Sequence, residues 1–347
     1  MYIKKIILFI VLAGLVLGGV FAYRVYSAFF TPNTAFANEE AFVYIPTGAR
    51  FSEVKEQLEP LLEDVASFGK AAQRKGYANN IKPGKFRIRK SMNNNDIINT
   101  LRSTNVPVKV SFNNQETLND LAGRISEQIE ADSLSLLQTM RDTQFLKEHG
   151  FQSDMALSLY IPNSYEFFWN TSAVEFRERM LKEYERFWND GRLANAAKLG
   201  LSPAEVVTLA SIVHKETAKV DERPRVAGVY LNRLKKGMLL QADPTVIFAL
   251  KKELNNYDTI IKRVLYKDLE LSSPYNTYKY AGLPPGPIAM PDISAIDAVL
   301  NPEKHEYYYF VANVERFGYH MFAETLAQHN RNKAQYIRWV NSQNIKR

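Results

Sequence analysis

Ser202-Pro-Ala-Glu-Val-Val-Thr-Leu-Ala-Ser-Ile-Val-His-Lys-Glu-Thr217 is the stretch on which the reading of this 347-residue chain turns. It begins with two helix-start signals: Ser202 and Glu205 are spaced as a capping box, and Pro203 takes the first helical position. At about 3.6 residues per turn, Val206, Leu209, Ile212 or Val213, and Glu216 fall on one stripe. The pattern predicts a core helix whose buried face ends in a carboxylate. A carboxyl pressed against apolar neighbours is disfavoured as an anion, so its pKa rises toward the range of a general acid. Glu216 is therefore the candidate acid; the competing reading is a carboxylate held by Arg223 or Arg225 of the next segment. His214 and Lys215 point off the stripe and are expected in solvent. Residues two apart on a helix do not face each other, which argues against His214 as a partner of Glu216.

Working outward, Asp221-Glu-Arg-Pro224 reads as the start of a second helix, with Val226, Val229, Tyr230 and Leu234 facing the core and Gly237 ending it. Gln241-Ala-Asp-Pro-Thr245 is a polar turn. Asp243 can cap a helix from Val246 to Leu250, with Pro244 at its first position, or contact a substrate; both roles stay open. Tyr275-Asn-Thr-Tyr278 and Gly282-Leu-Pro-Pro-Gly-Pro287 offer rigid backbone and aromatic faces, which suit sugar recognition and a plain connector alike.

Upstream, Val106 to Phe112 is extended and Glu116 to Glu130 is helical. The chain then reads as mostly helix to about Leu199, interrupted by an aromatic loop from Tyr160 to Trp169. A small module runs from about Ala41 to Ser103. Its strand Ala41-Phe-Val-Tyr-Ile45 leads through Pro46-Thr-Gly48 into a helix from Phe51 to Leu62, with Ser52 as its cap. Lys82-Pro-Gly-Lys85 turns into the alternating strand Phe86-Arg-Ile-Arg89. A helix from Ser91 to Arg102 follows, with Ile97, Ile98 and Leu101 on one face. The expected fold class is α+β.

Ile6 to Tyr23 is an uninterrupted uncharged run, just long enough to span a bilayer. Lys4 and Lys5 precede it, which places the amino end in the cytoplasm and the rest outside. Ala35-Phe-Ala37 imitates a signal-peptide cleavage site but lies too far from the apolar run, so a retained single-pass anchor is expected. The net charge of +7 favours anionic partners, but the basic residues are scattered rather than clustered on one element, which argues against nucleic acid. With no cysteine, disulfides, thiolate zinc sites and cysteine nucleophiles are excluded. No glycine-rich phosphate loop, helical His-x-x-x-His pair or G-x-S-x-G turn is present, so kinase, dehydrogenase and serine-hydrolase readings lack their parts.

The segments Leu209 to Thr217, Glu222 to Leu234, Gly237 to Ile247, Tyr275 to Tyr278, Gly282 to Ile288, Tyr309 to Ala312 and Phe322 to Asn330, in that order, resemble the endolytic murein transglycosylases, the MltG or YceG-like proteins. The resemblance implies a transmembrane anchor at 1–30, a LysM-like α+β wall-binding domain at 41–103, a mainly helical connection at 106–199 and a mixed α/β catalytic domain at 200–347. It places the catalytic glutamate on Glu216. His214 stands where many relatives carry another glutamate, and Ala242 where Thr is common. The implied reaction breaks the bond between N-acetylmuramic acid and N-acetylglucosamine and leaves a 1,6-anhydro end, without a cofactor. Gln241, Asp243, Asn276 and Tyr278 are the expected substrate-binding residues. Expected partners are peptidoglycan strands, the inner membrane and peptidoglycan synthases, with catalysis on the extracytoplasmic side. Two alternatives remain: a muramidase giving reducing ends, and a non-catalytic wall-binding scaffold.

Overall fold

The computed structural model describes residues 2–103 and 105–342, so position 1 of the expected anchor and positions 343–347 of the expected catalytic domain lie outside the described residues. The chain forms two compact units interleaved in sequence. Residues up to Val110, Gln128–Ala131 and Tyr165–Ser172 make the first, and Ser111–Glu127, Asp132–Ser164 and Ala173 onward make the second.

The first unit opens with helix α1 (Tyr2–Phe30), which has no fully buried residue, packs Phe29 near its end against the unit's core, and is long and apolar enough to cross a membrane. Strand β1 (Glu40–Ile45) follows, then helices α2 (Phe51–Leu58) and α3 (Val65–Arg74), strand β2 (Gly84–Arg89) and helix α4 (Asn94–Arg102). β1 and β2 pair antiparallel, with Val43 opposite Phe86 and Ile45 opposite Gly84. Alternation sends Val43, Ile45, Phe86 and Ile88 to one face, where they meet Val54, Leu58, Phe68, Ile97, Ile98 and Leu101.

Two expectations change here, and one helix carries no signal in the sequence. Ser52 does not cap α2; the helix already begins at Phe51, and the Arg50 N–H donates to Glu53 Oε2 at 2.8 Å. Helix α3 had no sequence reading, because Ala71, Ala72 and a mid-helix Gly69 leave little apolar signal. Asp64 nonetheless caps it by accepting from the Ser67 N–H at 2.8 Å. The stretch expected as an aromatic loop contains a strand, Asn163–Phe168, whose Tyr165 and Phe167 are buried in alternation.

Strand β3 (Pro107–Phe112) leads to helices α5 (Leu118–Ser126), α6 (Ser133–Met140) and α7 (Thr143–Glu148), strand β4 (Asn163–Phe168), and helices α8 (Ala173–Phe187) and α9 (Asp190–Leu199). Then come α10 (Pro203–Glu216), α11 (Arg223–Lys235), α12 (Asp243–Glu253), α13 (Ile293–Leu300), strands β5 (Tyr309–Ala312) and β6 (His320–Ala323), and α14 (Leu326–Ser342). β5 and β6 pair antiparallel, with Phe310 opposite Phe322. α10 is the pivot of the second unit and packs against α9, α11, α12 and α13. Every residue from Val206 to Val213 on it is buried. The unit is thus mixed α and β, with its sheet confined to short ribbons.

Candidate active site

The capping box forms as read: the Ser202 N–H donates to Glu205 Oε2 at 2.8 Å, and the Glu205 N–H donates back to Ser202 Oγ at 3.3 Å. Ser211 turns its hydroxyl inward, giving its hydrogen to the Thr208 carbonyl at 2.7 Å and accepting the Ile288 N–H at 3.0 Å. The Pro/Gly loop is thereby fastened to α10. Only glycine serves at position 286 in that loop, because a Cβ there would lie 1.9 Å from the Asp154 carbonyl oxygen. α10 ends at Glu216, and Thr217 leaves in extended conformation.

Glu216 is half-buried as a residue, but its carboxyl is enclosed by protein. Its Oε1 accepts one hydrogen bond, from the Tyr230 hydroxyl at 2.6 Å. Burial pushes its pKa from the ordinary carboxylate range up to about 7, and nearby Asp243 adds to the rise. The Tyr230 bond and the charges of His320 and Arg233 act the other way without cancelling it. Tyr230 is itself fully buried, edge-on to Phe310 at 5.9 Å. Burial and the Glu216 charge hold its hydroxyl proton far above the usual range, so Tyr230 is a donor throughout.

Neither Arg223 nor Arg225 holds Glu216, as the competing reading would require. Arg223 reaches Asp292 at 3.2 Å and Ser294 at 2.5 Å, and Arg225 reaches Glu303 at 2.9 Å. His214 is not in solvent: it is half-buried, with Nδ1 3.3 Å from Asp292 and 3.3 Å from Arg223 Nη2. Burial, with the charges of Arg223 and Lys215, lowers its pKa despite Asp292. Among the described residues, the side-chain partners of His214 are Arg223 and Asp292 and not Glu216. Lys215, on the exposed side, pairs with Glu116 at 2.8 Å.

Asp243 is not a cap. Ala242 holds the N-cap position, Asp243 already lies in the helix, and its carboxylate accepts from the Tyr278 hydroxyl at 2.5 Å. Thr245 and Thr277 stabilise the turn instead, with Thr277 Oγ1 accepting the Ala242 N–H at 3.0 Å and meeting Thr245 Oγ1 at 2.8 Å. Gln241 is exposed and left-handed, at φ 51°, and its N–H donates to the Thr277 carbonyl at 3.1 Å. Asn276 is fully buried. Its amide donates to the carbonyls of Leu269 at 2.8 Å and Leu271 at 2.9 Å, and its oxygen accepts the Tyr278 N–H at 3.0 Å. All its polar atoms are spent on backbone, so Asn276 shapes the loop that presents Tyr278 and offers nothing to a ligand.

Three site residues escaped the sequence reading. Arg233 is buried among carbonyls, donating to Tyr308 at 2.6 Å and Leu240 at 2.7 Å, and fixes the approach to Gln241. Glu222 is 4% exposed and accepts from the Thr217 hydroxyl at 3.0 Å and the His320 N–H at 2.7 Å. His320 Nδ1 lies 2.8 Å from the same carboxylate, which requires the proton on Nδ1. Glu222 and Arg233 lay inside stretches read only as helix, and His320 is distant in sequence, so no periodicity could mark them. Beside α12 run two clefts of about 170 and 420 Å³ that share Glu116 and Phe248; Lys215 and Pro244 line the first, Tyr257 and Tyr275 the second.

The sequence pattern of the YceG-like family matches residues 43–335. A protein of Bacillus subtilis (strain 168) called "Endolytic murein transglycosylase" is 29% identical over 342 residues, covering 93% of this chain and 91% of the relative. Its namesake from Streptococcus pneumoniae serotype 2 is 28% identical over 358 residues, covering 94% of this chain and 64% of the relative's longer sequence. A crystal structure of a yceG-like protein from Listeria monocytogenes superimposes with a TM-score of 0.57 at 31% identity, covering 85% of this chain and 99% of that one. The family match takes in both units and every residue of the Glu216 site, so the chain belongs to the YceG-like family.

Proposed function

We propose that this chain is a membrane-anchored lytic transglycosylase that cuts peptidoglycan glycan strands internally, with Glu216 as both acid and base. The observation that carries the reading is an enclosed carboxyl at the end of a core helix, held by a single hydroxyl and driven to a pKa of about 7. The relatives named endolytic murein transglycosylase supply the substrate.

Tyr230 occupies Oε1, which leaves Oε2 to move the proton. Glu216 donates that proton to the glycosidic oxygen between N-acetylmuramic acid and N-acetylglucosamine as the bond to the anomeric carbon breaks. The carboxylate then takes the proton of the muramic 6-hydroxyl, whose oxygen closes on the anomeric carbon to form the 1,6-anhydro ring. No water is consumed, and Glu216 ends protonated as it began. One group acting in both directions works best with a pKa near ambient pH. Asp243 and Tyr278 lie close enough to Glu216 to act on its charge and, with exposed Gln241, hold sugar hydroxyl and acetamido groups in this reading.

A second reading has its own observation. Asp243 brings a second carboxylate close enough to influence Glu216, and two carboxylates are what a hydrolase uses. Tyr278 engages it, which favours a binding role. Residues 200–347 form the catalytic region, 106–199 connect, and 41–103 form a LysM-like wall-binding module. In this reading α1 is a single-pass inner-membrane anchor with Lys4 and Lys5 inside and the rest on the extracytoplasmic side, where peptidoglycan synthases are the expected partners.

The test is mass spectrometry of products from uncrosslinked glycan strands. Anhydro-ended fragments from the wild type and none from Glu216→Gln are expected. Reducing ends would make the enzyme a hydrolase, and cleavage by Glu216→Gln would remove Glu216 from the mechanism.

A further inference from the structure

The carboxy-terminal end of α1 is fastened to the small unit. Buried Asn94 donates to the Ala28 carbonyl at 2.8 Å and accepts from Asn33 at 2.7 Å, while Asn33 also exchanges hydrogen bonds with Asp64 at 2.8 and 2.9 Å. α1 packs on both α3 and α4. The helix therefore does not swing freely where it leaves the apolar run, and α3 stands at a fixed depth beside it.

Between α1 and α3 lies a cavity of about 620 Å³. Phe21 and Val25 form an apolar wall continuous with the membrane-spanning face, and Arg24, Lys70 and Arg74 bring three cations. All three are exposed, and among the described residues none has a carboxylate partner. Lys70 and Arg74 share a face of α3 at helical spacing, and Arg24 is the first charge after the uncharged run. Of the two acids on the rim, Asp64 is engaged in capping α3, which leaves Glu63 against three cations.

We propose that this cavity binds the headgroup of an anionic phospholipid in the adjoining leaflet. Arg24, Lys70 and Arg74 surround its phosphate, and an acyl chain lies along Phe21 and Val25. Cations at the level of the headgroups bind anionic lipid cooperatively with an apolar contact alongside. The site rests on α1 crossing the membrane and is independent of Glu216.

The test uses the full chain in nanodiscs of phosphatidylcholine with phosphatidylglycerol, reading the lipids retained after release by native mass spectrometry. Wild type should retain phosphatidylglycerol over phosphatidylcholine by on the order of a hundredfold, the scale expected of three cations at an anionic surface. Arg24→Gln/Lys70→Gln/Arg74→Gln should lose that preference while melting like the wild type and cutting soluble strands at the wild-type rate. Equal retention of both lipids by the wild type would overturn the site. So would a preference that survives the triple substitution and vanishes in Lys4→Gln/Lys5→Gln, which would assign it to the other end of α1. A chain that fails to enter discs would overturn the anchor itself, a result distinct from loss of lipid selectivity within them.

Discussion

The glutamates on either side of the α10–α11 connection, Glu216 and Glu222, both lose most of their water, yet their protons are driven in opposite directions. Burial alone would raise both. At Glu222 it is outweighed by the side-chain and backbone hydrogen bonds of His320 and by the Thr217 hydroxyl, and the pKa falls below the ordinary value. At Glu216 a single Tyr230 hydroxyl opposes burial and loses, and the pKa climbs to about 7. The difference lies in the count of donors each carboxylate receives and in how completely protein encloses it, not in residue type. One environment makes a structural anion that ties α11 to β6, and the other makes an acid available at neutral pH. Separating two like groups by environment in this way is how a site assigns chemical roles.

Changes that break this contrast differ in size and sign. Glu216→Gln keeps the shape and the Tyr230 contact but removes the proton, and should lower turnover on glycan strands by about 10³-fold or more, measured as product release. Glu222→Gln strips a buried anion from its donors and should cost about 3 kcal/mol of stability, seen as an earlier thermal transition. Glu216→Gln should act oppositely on stability. A carboxyl whose folded pKa is raised loses stability as pH climbs from the ordinary value of 4.5 to about 7, so relieving it stabilises the protein above that range by roughly 1–3 kcal/mol. Melting curves of the two variants at pH 8 should therefore diverge on either side of the wild type. Tyr230→Phe should reduce turnover about tenfold with the fold intact, because one neutral hydrogen bond is lost. Smallest of all, Asn276→Ala should cost about 1–2 kcal/mol in stability through unpaired backbone groups, and its KM for strands should change only as far as Tyr278 is displaced.

The sequence made Glu216 legible because helical periodicity links a cap, an apolar stripe and its terminal residue within a single element. It also predicted β1, β2, α4, α10 and α11 closely, since each carries a clean period of its own. Where pattern and partner separate, legibility ends. Tyr230 shares the core face of α11 with Val226 and Val229, and nothing in its spacing distinguishes a hydroxyl aimed at Glu216 from a core tyrosine. His320 reaches Glu222 only because β6 pairs with β5, a long-range event without a local signature. Asn276 shows the reverse error. A polar residue among aromatics reads as a ligand contact, but its amide was needed to satisfy buried carbonyls of its own loop. His214 misled in the same way: helix geometry turned it from Glu216 correctly but could not reveal Asp292 and Arg223 waiting on the other side.

The central claim is that burial makes Glu216 an acid near neutrality, and the pH dependence of kcat/KM on uncrosslinked strands tests it most directly. The account predicts a rate that falls as pH rises through about 7, where the free enzyme loses the essential proton, and a limb displaced to higher pH in Tyr230→Phe. A falling limb at the ordinary carboxylate value near 4.5, or one unmoved by Tyr230→Phe, would contradict it.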